Sequence, residues 1–123
     1  MKVLYLNVNK GKYPEVLEIE DELDTYYKLI GCDCIDITTR IWRKRRYTVI
    51  CDDIGFYKPN LKVAIWDETK RDIPIVGNVI ICGAGDVEGN LTSLTDEDVE
   101  ILLKNVGGMY NTRTNEAYFN LFY

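Results

Sequence analysis

Cys34-Ile35-Asp36-Ile37-Thr38-Thr39-Arg40-Ile41-Trp42-Arg43-Lys44-Arg45-Arg46-Tyr47-Thr48-Val49-Ile50-Cys51 reads as two strands joined at a basic tip. In its first half, Cys34, Asp36, Thr38 and Arg40 fall on one face and Ile35, Ile37, Thr39 and Ile41 on the other. A period of two marks a half-buried strand. Tyr47–Cys51 is again aromatic and β-branched, the composition of a second strand. The two halves predict a hairpin whose tip, Arg43-Lys44-Arg45-Arg46, is strongly cationic.

Working outward, Lys2–Val8 and Val16–Ile19 predict two strands around the turn Asn9-Lys10-Gly11-Lys12. Over Asp21–Ile30, Leu23, Tyr26, Tyr27 and Ile30 recur at helical spacing, and Gly31 stands where a left-handed cap is wanted. After the hairpin come a loop (Asp52–Pro59), a short strand (Lys62–Trp66) and a polar turn (Asp67–Asp72). Asn78–Cys82 is nearly continuously apolar, as expected of a strand central in its sheet. Leu94-Thr95-Asp96-Glu97-Asp98-Val99 is a helix start. Thr95 is the N-cap, Asp98 takes the place of the usual Glu at the third helical position, and Leu94 and Val99 form a hydrophobic staple. Val99, Leu102, Leu103 and Val106 give that helix an apolar face, and Gly107-Gly108 is expected to end it. The fold class is therefore α+β: a mostly antiparallel sheet of about five or six strands packed by two helices. One domain spans 1–123. Its tail, 109–123, carries Tyr110, Tyr118, Phe119, Phe122 and Tyr123 and is expected to dock on the domain or on a neighbouring subunit.

The 123 residues suit a single domain, and 46% hydrophobic content suffices for a core. Fifteen basic residues face twenty acidic ones, for a net charge of −5. There is no histidine, which removes Ser-His-Asp and Cys-His catalysis and His-ligated metal sites. No apolar run approaches the ~20 residues of a membrane helix, and the short apolar start at Met1–Leu6 is not a secretory signal. The expected location is the cytoplasm, with the four cysteines reduced.

Met1-Lys2-Val3-Leu4, the helix before Ile30-Gly31, the strand Tyr47–Cys51, Gly77–Gly83 and Asn90–Glu97 recur in this order elsewhere. Over roughly Met1–Val106 the chain resembles a domain-of-unknown-function family common in Firmicutes, their phages and mobile elements. Thr92-Ser93-Leu94-Thr95-Asp96-Glu97 is the most specific piece. The resemblance implies a compact α+β fold and an accessory phage gene, with no catalytic residue carried over. The chain departs from the pattern at Trp42–Tyr47, where the family is often acidic.

That departure is the sharpest candidate site. Arg40, Arg43, Lys44, Arg45 and Arg46 hold five of the fifteen basic residues, so ten remain against twenty acids elsewhere. Cations concentrated in an acidic protein point to an anion-binding patch, and guanidinium forks match phosphates. Trp42, Tyr47 and Trp66 are the residues expected to stack a base. The plainer reading is a solvated hairpin tip paired with nearby acids. Long nucleic acid is not expected as a partner, because the remaining acidic surface repels its backbone. Gly83–Asn90 has a glycine-rich loop spacing but lacks the Gly-Lys-Ser/Thr ending of a phosphate loop. Cys32-x-Cys34 with Cys51 and Cys82 has poor spacing for zinc. Carboxylates are numerous, but no spacing marks a hydrolase. No catalytic residue, metal or cofactor is expected. The expected function is a non-catalytic anti-defence accessory protein. It would sequester a small phosphorylated, nucleotide-like signal through Arg40, Trp42, Arg43, Arg45, Arg46, Tyr47 and Trp66, as a homo-oligomer. The alternative is a protein–protein inhibitor of a host defence enzyme, and a third class is a metal-dependent phosphodiesterase.

Overall fold

A computed structural model describes residues 1–8, 14–58, 63–65, 74–111 and 116–121. In chain order the elements are β1 (Lys2–Leu6), β2 (Glu15–Glu18), α1 (Leu23–Ile30), β3 (Ile35–Trp42), β4 (Arg45–Asp52), a single 3₁₀ turn (Gly55–Tyr57), β5 (Val63–Ile65), β6 (Ile75–Val76), β7 (Val79–Cys82), α2 (Asp96–Asn105), β8 (Val106–Asn111) and β9 (Glu116–Leu121). Five strands form one antiparallel sheet in the order β2-β1-β7-β4-β3, and β5–β6 and β8–β9 form two short ribbons. The α+β architecture expected from the sequence is the one observed. β7 is the central strand, as its apolar run requires.

Strand alternation divides the core into two layers. Leu4 and Leu6, Tyr47, Val49 and Cys51, and Val79 and Ile81 point to one face, where Leu102 of α2 and Ala64 and Ile65 of β5 cover them. Val3 and Tyr5, Ile50, and Ile80 and Cys82 point to the other, where Tyr26 and Ile30 of α1 cover them. Each helix thus packs on one face of the sheet.

α1 ends where Gly31 takes φ 80 and returns its N–H to the Tyr27 carbonyl at 2.8 Å. Eight residues make a helix only about 12 Å long. It therefore covers β1, β7 and the near part of β4, while of β3 only Ile35 packs against the cluster it caps. On β3, Ile37 and Ile41 stay 51% and 49% exposed, while Arg40 and Trp42 on the opposite face are buried. The alternation read from the sequence is real, but the face carrying isoleucine is largely open.

α2 starts as expected. Thr95 N–H donates to Asp98 Oδ2 at 3.0 Å and Asp98 N–H donates to Thr95 Oγ1 at 3.0 Å, closing a reciprocal capping box with Asp in the Glu position. Its end differs from expectation. The helix stops at Asn105, and Val106, Gly107 and Gly108 open β8 rather than finishing a helix. The tail then pairs with itself as β8–β9, and β9 lies against β5 of the same chain. The turn at Asn9–Lys12, the turn at Asp67–Asp72, Phe122 and Tyr123 lie outside the described residues.

Gly83 marks the exit from β7. A side-chain carbon there would come within 2.7 Å of both the Ser93 carbonyl and Thr92 Oγ1, so only glycine lets the two segments meet. The Gly83–Asn90 loop is closed by its own groups. Asp86 Oδ1 accepts from Glu88 N–H at 2.9 Å and Asn90 N–H at 2.8 Å, and the Asp86 carbonyl accepts from Gly89 N–H at 3.0 Å. Those N–H groups serve Asp86, and the acid occupies the place a phosphate would need.

Candidate functional site

The β3–β4 hairpin closes through an unbroken register, from Ile35↔Asp52 to Trp42↔Arg45. Only Arg43 and Lys44 lie between the paired ends, with φ 49 and 64. Two central residues with positive φ are the mark of a type I′ turn, whose twist matches the strands it joins. Asn-Gly is the usual occupant because side chains oppose this conformation. Here two long cations hold it instead.

The pleat divides the basic run. Trp42 and Tyr47 are 2% and 0% exposed and belong to the core. They sit diagonally across the hairpin with ring centres 5.7 Å apart. As placed, neither ring presents a face to a ligand, so the stacking role expected of both is not open to them. Arg40, 7% exposed, shares their face. Trp66, the third expected stacking residue, lies outside the described residues.

Arg45 is committed to α2. Its Nη1 donates to Asp98 Oδ1 at 2.8 Å and its Nη2 pairs with Glu97 Oε1 at 2.9 Å. The Tyr47 hydroxyl also approaches Asp98 Oδ1, at 3.4 Å. Burial and the neighbouring Asp98 charge push the Tyr47 hydroxyl up to about 12. Burial works against the Asp98 carboxylate, but the Thr95 N–H, the Arg45 guanidinium and the Thr95 hydroxyl outweigh it and hold the carboxyl below its ordinary range. Arg45 is therefore a strut between the hairpin and the start of α2. Arg43, Lys44 and Arg46 remain exposed at the tip. The structure thus brings together at the tip two of the expected binding cations, Arg43 and Arg46, with Lys44 beside them and with Trp42 and Tyr47 in the core.

A second region escaped the sequence reading. At the far end of the hairpin, about 23 Å along β4 at ~3.3 Å per residue, a cavity of about 350 Å³ opens beside the C-terminus of α1. Tyr5, Asn7, Lys28, Asp52, Lys58 and Asn78 line it. Much of this lining is already spent on itself. Lys58 Nζ lies 2.5 Å from Asp52 Oδ2, and Asp52 Oδ1 accepts from Ile54 N–H at 3.1 Å. The Leu29 carbonyl accepts from the Tyr5 hydroxyl at 2.6 Å and from Asn78 Nδ2 at 3.4 Å. The carboxylate of Asp52 and the negative end of the helix dipole both disfavour an anion here. The only local sign in the sequence was Asn78, a polar residue opening an apolar strand.

The cysteines cannot meet around one metal ion. Cys51 points into the α2 side of the sheet and Cys82 into the α1 side. Burial pushes their thiols up to about 11 and about 12. Among the described residues no helix is long and apolar enough to cross a membrane.

Residues 1–107 match the family described as Domain of unknown function (DUF3846). Neither a curated protein nor a solved structure matches the chain. With most of its length matched, the chain belongs to the DUF3846 family.

Proposed function

We propose that this DUF3846 protein is a non-catalytic interaction protein whose hairpin tip, Arg43, Lys44 and Arg46, engages an acidic surface of another protein. The turn conformation carries the reading. Arg43 and Lys44 both adopt left-handed backbone, which costs an L-residue bearing a side chain roughly 1–2 kcal/mol. Asn-Gly would close the same turn without that cost. Type I′ geometry needs both positive φ values, and keeping two cations there at that cost fits the tendency of strained backbone to cluster at binding segments. The shape points the same way. A convex tip docks against a surface, whereas a nucleotide is held in a concavity that buries most of it. With Trp42 and Tyr47 in the core, inhibition of a partner protein ranks ahead of sequestering a phosphorylated signal. The phage and mobile-element setting implied by the family resemblance fits a host enzyme as that partner.

The test compares the wild type with Arg43→Asn/Lys44→Gly, which keeps the turn and removes two charges. Both proteins are titrated with polyglutamate, then screened by thermal shift against nucleotides, cyclic dinucleotides and ADP-ribose. The expected result is polyglutamate binding that weakens with salt and falls roughly tenfold in the variant, as for lost interfacial charges. Equal binding by the two proteins would overturn the reading. A nucleotide-induced shift that disappears in the variant would return sequestration to first place.

A further inference from the structure

We propose that the outer edge of β3 pairs with the same edge of a second copy, forming an antiparallel dimer centred on Thr39. Among the described residues β3 is the last strand of the five-stranded sheet. It is eight residues long and pairs with β4 without a bulge. Protein edges of this length are ordinarily blunted by charges, Pro or a bulge; Ile35–Trp42 has no Lys, Pro or bulge, and its two charges, Asp36 and Arg40, lie on the face opposite the exposed isoleucines.

The ladder fixes which groups face outward. Asp53 N–H donates to the Cys34 carbonyl at 3.1 Å. Hydrogen-bonded pairs alternate along an antiparallel ladder. Asp36, Thr38 and Arg40 therefore spend their backbone groups on β4, while Ile35, Ile37, Thr39 and Ile41 turn theirs to the open edge. The Ile37 N–H confirms this parity, because it donates to the carboxylate of Asp36 at 3.0 Å rather than to a strand. The same alternate residues carry their side chains on the face that α1 leaves open, where Ile37 and Ile41 are half exposed.

A two-fold axis at Thr39 aligns all of these features. Ile37 of each copy stands opposite Ile41 of the other, so both exposed isoleucines are covered in direct cross-strand pairs. The outward backbone groups of Ile37, Thr39 and Ile41 find partners, and Ile37 N–H exchanges the Asp36 carboxylate for a carbonyl. The charges match as well. The cationic tip of each copy comes beside the acidic start of the other's β3, with Asp36 one diagonal step from Lys44 and Asp33 just beyond. This complementarity singles out a second copy as the occupant of the edge, in the isologous arrangement most common among dimers. The tip cations are then shared. An acidic partner protein and a second copy compete for the same end of the hairpin.

Light scattering coupled to size exclusion, over a hundredfold range of protein concentration, tests the proposal. Thr39→Pro is the main variant, because the Thr39 N–H makes no bond to β4 and edge strands accept proline. Ile37→Lys/Ile41→Lys is the second variant, in case proline disturbs folding, and circular dichroism monitors both. The expected result is a wild-type mass near twice 14.2 kDa at high concentration and a monomer for the variants. A wild type that stays monomeric throughout would overturn the proposal. So would a dimer that both variants preserve, which would move the interface to another surface such as the β8–β9 ribbon.

Discussion

Arg45 and Arg46 are adjacent in the chain, yet they serve different regions of the molecule. Arg45 lies on the face shared with Trp42 and Tyr47 and ties the hairpin to Glu97 and Asp98 of α2. Arg46, one residue on and opposite Ile41, belongs to the face left open beyond the end of α1. The inner half of the basic run is part of the scaffold, and the outer half is surface. A charge cluster read along a strand is therefore two clusters, because the pleat sends alternate residues to opposite sides. The functional reading belongs to the exposed half.

The largest expected consequence falls on the inner half. Trp42→Ala empties a fully buried site between α2 and the sheet and should cost about 3–5 kcal/mol, read as a lower midpoint in urea unfolding. A loss under about 1 kcal/mol, the range of typical surface changes, would show that Trp42 is not core and would reopen its stacking role.

Asp98 comes next. It closes the capping box and receives Arg45, so Asp98→Ala should cost about 0.5–2 kcal/mol through the lost cap, while Arg45 keeps Glu97 as a partner. The native carboxyl ionises more readily than it does in the unfolded chain. Its contribution is therefore present above the ordinary carboxylate value of about 4 and fades as pH falls through the lower native value. The penalty of the substitution should shrink correspondingly in acid. A penalty that stays constant down to the acid transition would remove the Arg45–Asp98 strut from the account.

Arg43→Asn/Lys44→Gly acts in the opposite direction. Glycine at 44 removes one left-handed side-chain residue and asparagine at 43 tolerates the conformation better than arginine, so stability should rise by at least about 1–2 kcal/mol, measured as a higher midpoint in the same urea titration. Stability gained while polyglutamate binding is lost would separate the two halves of the run in a single protein. A destabilised variant would mean that the tip side chains support the fold after all.

How far the sequence carried the interpretation follows from how local each signal was. The central strand at Val79–Cys82, the Gly31 cap and the Thr95–Asp98 box were all legible because each is encoded within a few consecutive residues. The division of the basic run was not, since which side of the pleat is spent depends on Glu97 and Asp98 of α2 and on where α1 stops, facts about other segments. Val106-Gly107-Gly108 looked like a helix stop because paired glycines disfavour a helix, but the same residues open β8, and only pairing with β9 reveals it. The cavity at the C-terminus of α1 draws Tyr5, Lys28, Asp52 and Asn78 from four separate elements and boundaries, so no window of sequence contains it. The aromatic tail could be noticed, but its self-pairing through Met109↔Tyr118 could not be inferred without the register.

The smallest stability effect is expected at Arg46, and it discriminates most sharply between the two regions. Arg46 is exposed on the open face beside Ile41, so Arg46→Ser should change unfolding free energy by no more than about 0.5 kcal/mol. Arg45→Ser, one residue away, removes the two contacts to α2 and should be measurably destabilising. It should lose less than a buried pair would, because the guanidinium is partly solvent-screened. Binding should invert this order. Arg46→Ser weakens polyglutamate retention at low salt, and Arg45→Ser leaves it nearly unchanged once the protein is folded, because Arg45 already neutralises acids of its own chain. If the two substitutions weaken binding equally, the basic run acts as one electrostatic patch, and its division by the pleat has no functional consequence.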